Sequence, residues 1–211
     1  MRVRVVLVRH GESRWNVEER YQGQADSGLT ARGHEQAETA AAVLAARFGA
    51  ADLVLSSDLP RARDTAEAYA GPAGLPVRED PRLREIDVGA WNGRTFAEVA
   101  TAYPVQLAAF ERGEDVRRGG GETFAELRER VWTALTEAAE EVGAGTLLAF
   151  AHGGPIRVAA AAALRVPPPG QRGFAPPVNC SLTVLDYHGP AGTHALVGYN
   201  VPTAPASAGR D

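Results

Sequence analysis

Two histidines and two arginines stand where apolar runs of the sequence stop. Val3 to Val8 gives way to Arg9-His10-Gly11-Glu12, Leu53 to Leu55 passes through Ser56-Ser57-Asp58 to Arg61, and Thr146 to Ala151 ends in His152-Gly153-Gly154. Arginine presents a fixed fork of donors that matches phosphate oxygens, and a neutral imidazole supplies a nucleophile or a proton site. Brought together, these four side chains suit a phosphate dianion and point to phosphoryl transfer through a phosphorylated histidine. They come together if the three runs are parallel neighbours in one sheet, because open α/β sheets place ligands at the carboxyl edge of their strands.

The elements that would do this are readable in outline. Val3 to Val8 is apolar at nearly every position and rich in β-branched residues, the pattern of a strand covered on both faces. Asp52 to Leu55 and Thr146 to Ala151 read as two more buried strands, with Leu75 to Arg78 a short fourth. Thr30 can cap an amphipathic helix that carries Ala37, Ala41, Leu44 and Phe48 on one stripe and stops at Gly49. Ser57 or Asp58 is the expected cap of a helix whose first turn holds Pro60 and Arg61. Pro81 to Gly93 reads as a loop carrying Glu85 and Asp87, and Thr95 to Phe110 as a helix broken at Tyr103-Pro104. A long helix from Glu122 to Val142 has Leu127, Val131, Leu135 and Ala138 on one face, and Pro155 to Leu164 is an alanine-rich helix. Ser181 to Tyr187 and His194 to Tyr199 suggest a hairpin, Pro167 to Pro177 is too proline-rich for regular structure, and the tail 201–211 reads as flexible. Strands alternating with helices predict an α/β fold: a single domain over 1–200, a three-layer α/β/α sandwich around a mostly parallel central sheet.

Composition narrows the function classes. The chain has 211 residues, 45% of them hydrophobic, enough for one sizeable core. A net charge of −4 argues against nucleic acid as a partner, so any positive field must be local. A single cysteine, Cys180, leaves no intramolecular disulfide to form and fits a reducing compartment. The start lacks the apolar stretch of a signal peptide, and no run approaches the roughly eighteen residues of a membrane span. A cytoplasmic enzyme acting on a small molecule, with no membrane partner, is the expectation.

Each site residue has an ordinary reading beside the chemical one. His10 follows a buried strand and precedes Gly11, which removes a side chain where a ligand must approach; a strand-end histidine is otherwise a surface hydrogen-bonding group. Arg9 would turn to the ligand where its strand ends, or else form a rim salt bridge. Arg61 falls in a first helical turn, where free amides and the helix dipole favour an anion. His152 before Gly153-Gly154 repeats the strand, histidine, glycine, helix pattern. His34, His188 and His194 read as solvated surface residues. Trp15 and Trp91 either wall the pocket or fill the core. Arg117-Arg118 either reaches an acidic substrate tail or is a solvated charge pair.

Arg9-His10-Gly11-Glu12-Ser13 with Asn16, Ser56-Ser57-Asp58-Leu59-Pro60-Arg61-Ala62 with Thr65-Ala66, Leu83-Arg84-Glu85 with Gly89-Ala90-Trp91-Asn92-Gly93, and Ala151-His152-Gly153-Gly154 together resemble the histidine phosphatase superfamily, which includes the cofactor-dependent phosphoglycerate mutases. The resemblance runs from about residue 3 to 187, with the motifs in the family's order. It implies that His10 is the phosphorylated nucleophile, that Arg9, Arg61 and His152 hold the phosphoryl oxygens, that Asn16 adds a phosphate contact, and that Glu85 is the proton donor. Gln22-Gly23-Gln24 would line the entrance. Asp87 is a rival to Glu85, which occupies the family's position. No cofactor or metal is called for, since arginines take the role that magnesium has in kinases.

Phosphatase and mutase share the covalent step. Mutases usually carry an arginine-tyrosine-glycine segment after the catalytic glutamate, whereas this chain reads Glu85-Ile86-Asp87-Val88-Gly89-Ala90-Trp91 and has a short connection onward to Gly121. This favours hydrolysis, although Glu12-Ser13 and Arg14-Trp15-Asn16 read as in mutases. A silent binding protein of the same fold, and a metal site using His10 and His152, are the readings from other classes. Such folds commonly form homodimers, but no exposed apolar segment marks an interface.

Overall fold

The computed structural model describes residues 2–204. Six strands form one sheet: β1 (Val3–Arg9), β2 (Leu53–Ser56), β3 (Val77–Glu79), β4 (Gly145–Ala151), β5 (Leu182–Tyr187) and β6 (Ala195–Val201). Their order is β3-β2-β4-β1-β5-β6. The first four neighbours run parallel, β5 lies antiparallel to β1, and β6, antiparallel to β5, closes that edge. The central trio is β2-β4-β1, the arrangement the sequence reading required. Register makes it exact at the working edge: Arg9 lies opposite Ala151, and Ser56 opposite Phe150. The ladder continues one residue past the strands, with the His10 amide donating to Ala151 O at 3.0 Å and the Ser57 amide to Phe150 O at 2.9 Å.

Alternation along β1 divides the core. Val3, Val5 and Leu7 join one cluster with α6 (Phe124–Val142) and α7 (Gly153–Ala163), while Val6 and Val8 join another with α2 (Ala31–Phe48) and α3 (Pro60–Ala73). Both faces of the sheet are therefore dry, which is why the strand reads apolar throughout. Helices α1 (Arg14–Val17), α4 (Phe96–Ala102) and α5 (Pro104–Glu111) lie in the connections. No helix among the described residues is long and apolar enough to cross a membrane.

Several local expectations hold and some need correction. Thr30 caps α2 as expected, with Oγ1 accepting from the Gly33 amide at 3.0 Å; α6 begins at Phe124, after a Thr123 cap that the sequence reading did not name, in a reciprocal pair with Glu126. Neither Ser57 nor Asp58 caps α3: its N-cap is Leu59, with Pro60 in the first turn. Ser57 is drawn to His152, and Asp58 pairs with Arg84 at 2.7 Å. The strand β6 reaches Val201, one residue beyond the expected domain limit, and Thr203 Oγ1 donates to Cys180 O at 3.1 Å. Of the expected tail, 205–211 lies outside the described residues. His194 is no solvated residue: it stacks on Tyr187 with ring centroids 4.8 Å apart, packs edge-on against Trp132, and its burial lowers its pKa.

Gly11 also serves another purpose than room for a ligand. A Cβ there would sit 2.3 Å from the Gly33 carbonyl oxygen, and a Cβ on Gly33 would sit 2.1 Å from that of Glu12. The backbone after His10 thus rests directly on the first turn of α2. Gly33→Ala should lower stability by about 1–3 kcal/mol through this overpacking. Urea unfolding measures it, and an unchanged midpoint would show that the contact yields.

Candidate active site

A cleft of about 390 Å³ opens over the carboxyl edge of β1 and β4. Arg9 and His10 enter it from the end of β1, Arg61 from the first turn of α3, and Gly153 and Gly154 from the start of α7. Glu85 comes from the loop after β3, and Gln22 and Gly23 from the segment between α1 and α2.

His10 is 2% exposed, with Nδ1 2.7 Å from Gly11 O. A carbonyl only accepts, so Nδ1 holds the proton and Nε2 keeps its lone pair. Burial, and next Arg61 and Arg9, push the His10 pKa well below its ordinary 6.5, so the imidazole is neutral. His152 is wholly buried, its ring centroid 5.2 Å from that of His10. Its Nε2 lies 2.9 Å from Ser57 Oγ, which already accepts from the Leu59 amide at 3.3 Å. Where the Ser57 hydroxyl hydrogen points at Nε2, the His152 proton sits on Nδ1, a buried atom without a partner among the described residues. Burial followed by Arg61 lowers the His152 pKa strongly as well. One neutral imidazole offers a lone pair and the other an N–H.

Arg61 is fully buried. Its Nη1 donates to Ala25 O at 2.7 Å and Asp26 Oδ1 at 3.1 Å, and Nη2 to Gly23 O at 2.8 Å, while Nε has no partner. Arg9 has the same character: one Nη donates to Pro177 O, and its buried Nε is unsatisfied. Burial lowers the pKa of both guanidiniums, opposed by Glu85. Three nitrogens, Arg9 Nε, Arg61 Nε and His152 Nδ1, are therefore buried without partners among the described residues, on side chains that line the cleft or touch His10. Buried unpaired donors are costly unless an acceptor arrives.

Among the described residues Glu85 is the one carboxylate in the lining. Its Oε1 accepts from the Ile86 amide at 2.9 Å and the Gly154 amide at 3.0 Å, so the N-terminus of α7 holds it. Gly154 makes this approach possible, since a Cβ there would lie 2.2 Å from Glu85 Oε1. Arg130 of α6 clamps the loop from behind, donating to the carbonyls of Arg82, Arg84 and Glu85 at 2.7, 2.8 and 3.0 Å. The rival Asp87 is turned away into its own turn, accepting from the Gly89 amide at 2.8 Å.

Asn16 and Gly11 stay outside the lining. Asn16 Oδ1 is taken by the Ser13 amide at 3.1 Å and Asn179 Nδ2 at 3.2 Å, so this residue braces the loop behind His10. Gln22 lines the cleft while accepting from Ser13 Oγ at 2.8 Å. Trp91 is core, fully buried beside Tyr21 and Phe110. Arg118 is 7% exposed and lines the cleft, whereas Arg117 turns out to Glu126. Arg157, also in the lining, was missed: on sequence it is one arginine in an alanine-rich helix, and only the helix's position over the cleft reveals it. Among the described residues no group of three or more His, Cys, Asp or Glu side chains converges as a metal site would require.

Lowered histidine pKa values make stability depend on pH. The unfolded chain binds protons that folded His10 and His152 do not. Their contribution is therefore present above the unfolded value near 6.5, and is lost as pH falls. The loss should reach about 1.4 kcal/mol per pH unit for each histidine. Denaturant unfolding across that range, compared with a His10→Asn/His152→Asn double variant, measures it. Equal slopes would show that neither imidazole is held neutral.

The chain is similar to several known proteins. A glucosyl-3-phosphoglycerate phosphatase of Mycolicibacterium vanbaalenii is 40% identical over 79% of this chain and 77% of its own length. A probable phosphoglycerate mutase, GpmB, of Salmonella paratyphi C is 36% identical over 88% of this chain and 85% of its own. Among solved structures, a mycobacterial glucosyl-3-phosphoglycerate phosphatase in complex with VO3 superposes with a TM-score of 0.84 at 34% identity, covering 94% of this chain and 99% of that one. Residues 5–200 match the model of the histidine phosphatase superfamily, branch 1, and the chain belongs to that superfamily.

Proposed function

We propose that this phosphatase hydrolyses a small phosphorylated metabolite in two steps through a phosphohistidine formed on His10. The observation that carries the reading is the set of buried, unpaired donors, Arg9 Nε, Arg61 Nε and His152 Nδ1, gathered about an imidazole with a free lone pair. Three donors match the three equatorial oxygens of a transferring phosphoryl group, where charge must be stabilised.

In the first step His10 Nε2 attacks phosphorus and the ester P–O bond breaks. The leaving oxygen takes a proton from Glu85, and the new N–P bond leaves a positive ring whose Nδ1–H is held by Gly11 O at 2.7 Å. In the second, water attacks phosphorus, Glu85 takes a proton back from that water, and the N–P bond breaks. Inorganic phosphate leaves and His10 returns to its neutral form. The open cleft supports hydrolysis, since water can reach the intermediate. A reducing, cytoplasmic setting belongs to the same proposal, supported by the single buried Cys180, whose thiol burial raises to a pKa of about 12.

A panel of phosphate monoesters assayed for released phosphate tests this, with His10→Ala as the blank. That variant should lose at least ~10³-fold in kcat and should no longer acquire acid-labile phosphate from labelled substrate. Retained turnover would remove the mechanism, and transfer between phosphoglycerates without release would make the enzyme a mutase. Glu85→Gln should cost about 10²–10⁴-fold on alkyl esters and far less on para-nitrophenyl phosphate, whose leaving group needs no proton. Equal losses on both would assign Glu85 to binding instead of proton transfer.

A further inference from the structure

The arginines of the cleft and the arginine behind it use their donors differently. Arg9, Arg61 and Arg118 each keep a buried Nε without a partner among the described residues, although Arg118 lies over the rings of Phe110, at 4.8 Å, and Phe124, at 5.0 Å. Arg130 stands on α6 outside the lining and engages all five of its N–H groups. Nε and one N–H of Nη2 meet the two oxygens of Glu122, each at 2.7 Å. The other three N–H groups go to the carbonyls of Arg82, Arg84 and Glu85.

Residues 84–88 form neither helix nor strand, lying between two short turns, Pro81–Leu83 and Gly89–Trp91. Their backbone groups must therefore find partners outside any ladder. Arg130 collects the carbonyls, and Glu122 takes the far end: its Oε2 accepts from the Asp87 amide at 2.9 Å, while its own amide donates to Asp87 O at 2.9 Å. A half-buried ion pair is weak evidence of net stabilisation, but a bidentate fork fixes geometry. What this pair secures is the course of the chain on both sides of Glu85. The peptide unit joining Glu85 to Ile86 offers its oxygen to Arg130 and its N–H to the Glu85 carboxylate itself. A peptide unit is planar, so holding the oxygen aims the N–H and, through it, the carboxyl group.

We propose that Arg130 is a positioning residue for the acid–base step: with Glu122 it fixes the peptide plane that directs the Glu85 carboxyl toward the leaving oxygen, without touching substrate. The inference rests on the phosphatase reading above and on the proton role given there to Glu85. Proton transfer needs heavy atoms within roughly 2.6–3.2 Å of each other, and a misplacement of ~1 Å can cost about 10²-fold in rate. Lysine keeps the charge, but an ammonium has three donors and no fork, so it cannot reproduce this set of bonds.

The test compares kcat/KM for two esters in the wild type, Glu85→Gln, Arg130→Lys and the double variant. One is the alkyl monoester that the wild type cleaves fastest, with glycerol 3-phosphate and 3-phosphoglycerate among those tried; the other is para-nitrophenyl phosphate, whose leaving group needs no proton. Arg130→Lys should lose about 10–10²-fold on the alkyl ester and less than about threefold on the aryl ester. The ratio is read within each variant, so a smaller folded fraction does not imitate the effect. In the Glu85→Gln background the same substitution should change the alkyl rate by less than about threefold, because the group through which it acts is gone. Equal losses on both esters, or independent effects in the double variant, overturn the inference. Should Arg130→Lys fail to fold, Glu122→Gln, which keeps the side chain's size and removes the charge that orients the fork, decides by the same ratio. If Glu85→Gln shows the leaving-group dependence and Arg130→Lys does not, the phosphatase reading stands and the positioning role falls. If the wild type releases phosphate from no alkyl ester, or Glu85→Gln lowers both rates equally, the acid–base reading falls and the positioning role with it.

Discussion

The in-register alignment of β2, β4 and β1 is the constraint from which the site follows. Backbone hydrogen bonds carry the ladder one residue beyond the strands, so that His10 and Ser57 are placed by their amides against Ala151 and Phe150 before any side chain acts. His152 then follows Ala151 directly. A slip of one residue in any of these strands would turn the working side chains to the opposite face of the sheet and bring core residues to the edge. Dry packing on both faces makes such a slip expensive, because Val3, Val5 and Leu7 serve one core and Val6 and Val8 the other. The geometry of the candidate site is thus underwritten by ordinary hydrophobic burial.

On that scaffold the protein assembles cations and unsatisfied donors in a buried place. Arg9, Arg61 and Arg118 are all desolvated, and each keeps a buried Nε with no partner. Holding them there costs stability, and the cost is met by fixed carbonyls at their other nitrogens, by aromatic faces and by Glu85. The arrangement is preorganised for an anion: little has to reorient when charge develops, which is where such sites gain most of their effect. The same field keeps both imidazoles neutral.

Much of this was legible in the chain. Strands apolar at every position announced a doubly covered sheet, and the His-Gly and Arg positions at strand and helix ends marked residues that the fold brings to one edge of it. What sequence could not show was depth and distance. Arg118 reads like its neighbour Arg117, yet one is buried in the cleft and the other pairs with Glu126 at the surface. Arg157 and Arg130 look like solvated charges on helices until the fold sets them over the cleft and behind the Glu85 loop. Gly11, read as room for a ligand, also rests on Gly33 of another element, and His194 found an aromatic stack across the hairpin. Each miss is a long-range contact, which spacing along the chain does not encode.

The manner in which Arg61 is fastened bears on how such a protein diversifies. It holds the entrance segment chiefly through the main-chain oxygens of Gly23 and Ala25, and Tyr21 is tied by its own amide and carbonyl to Arg94 and Gly93. Identity of the side chains along that rim is therefore largely decoupled from the placement of the guanidinium. Mutational drift can reshape the mouth of the cleft while the reacting groups stay in position, so new substrates become reachable by exchange of rim residues alone.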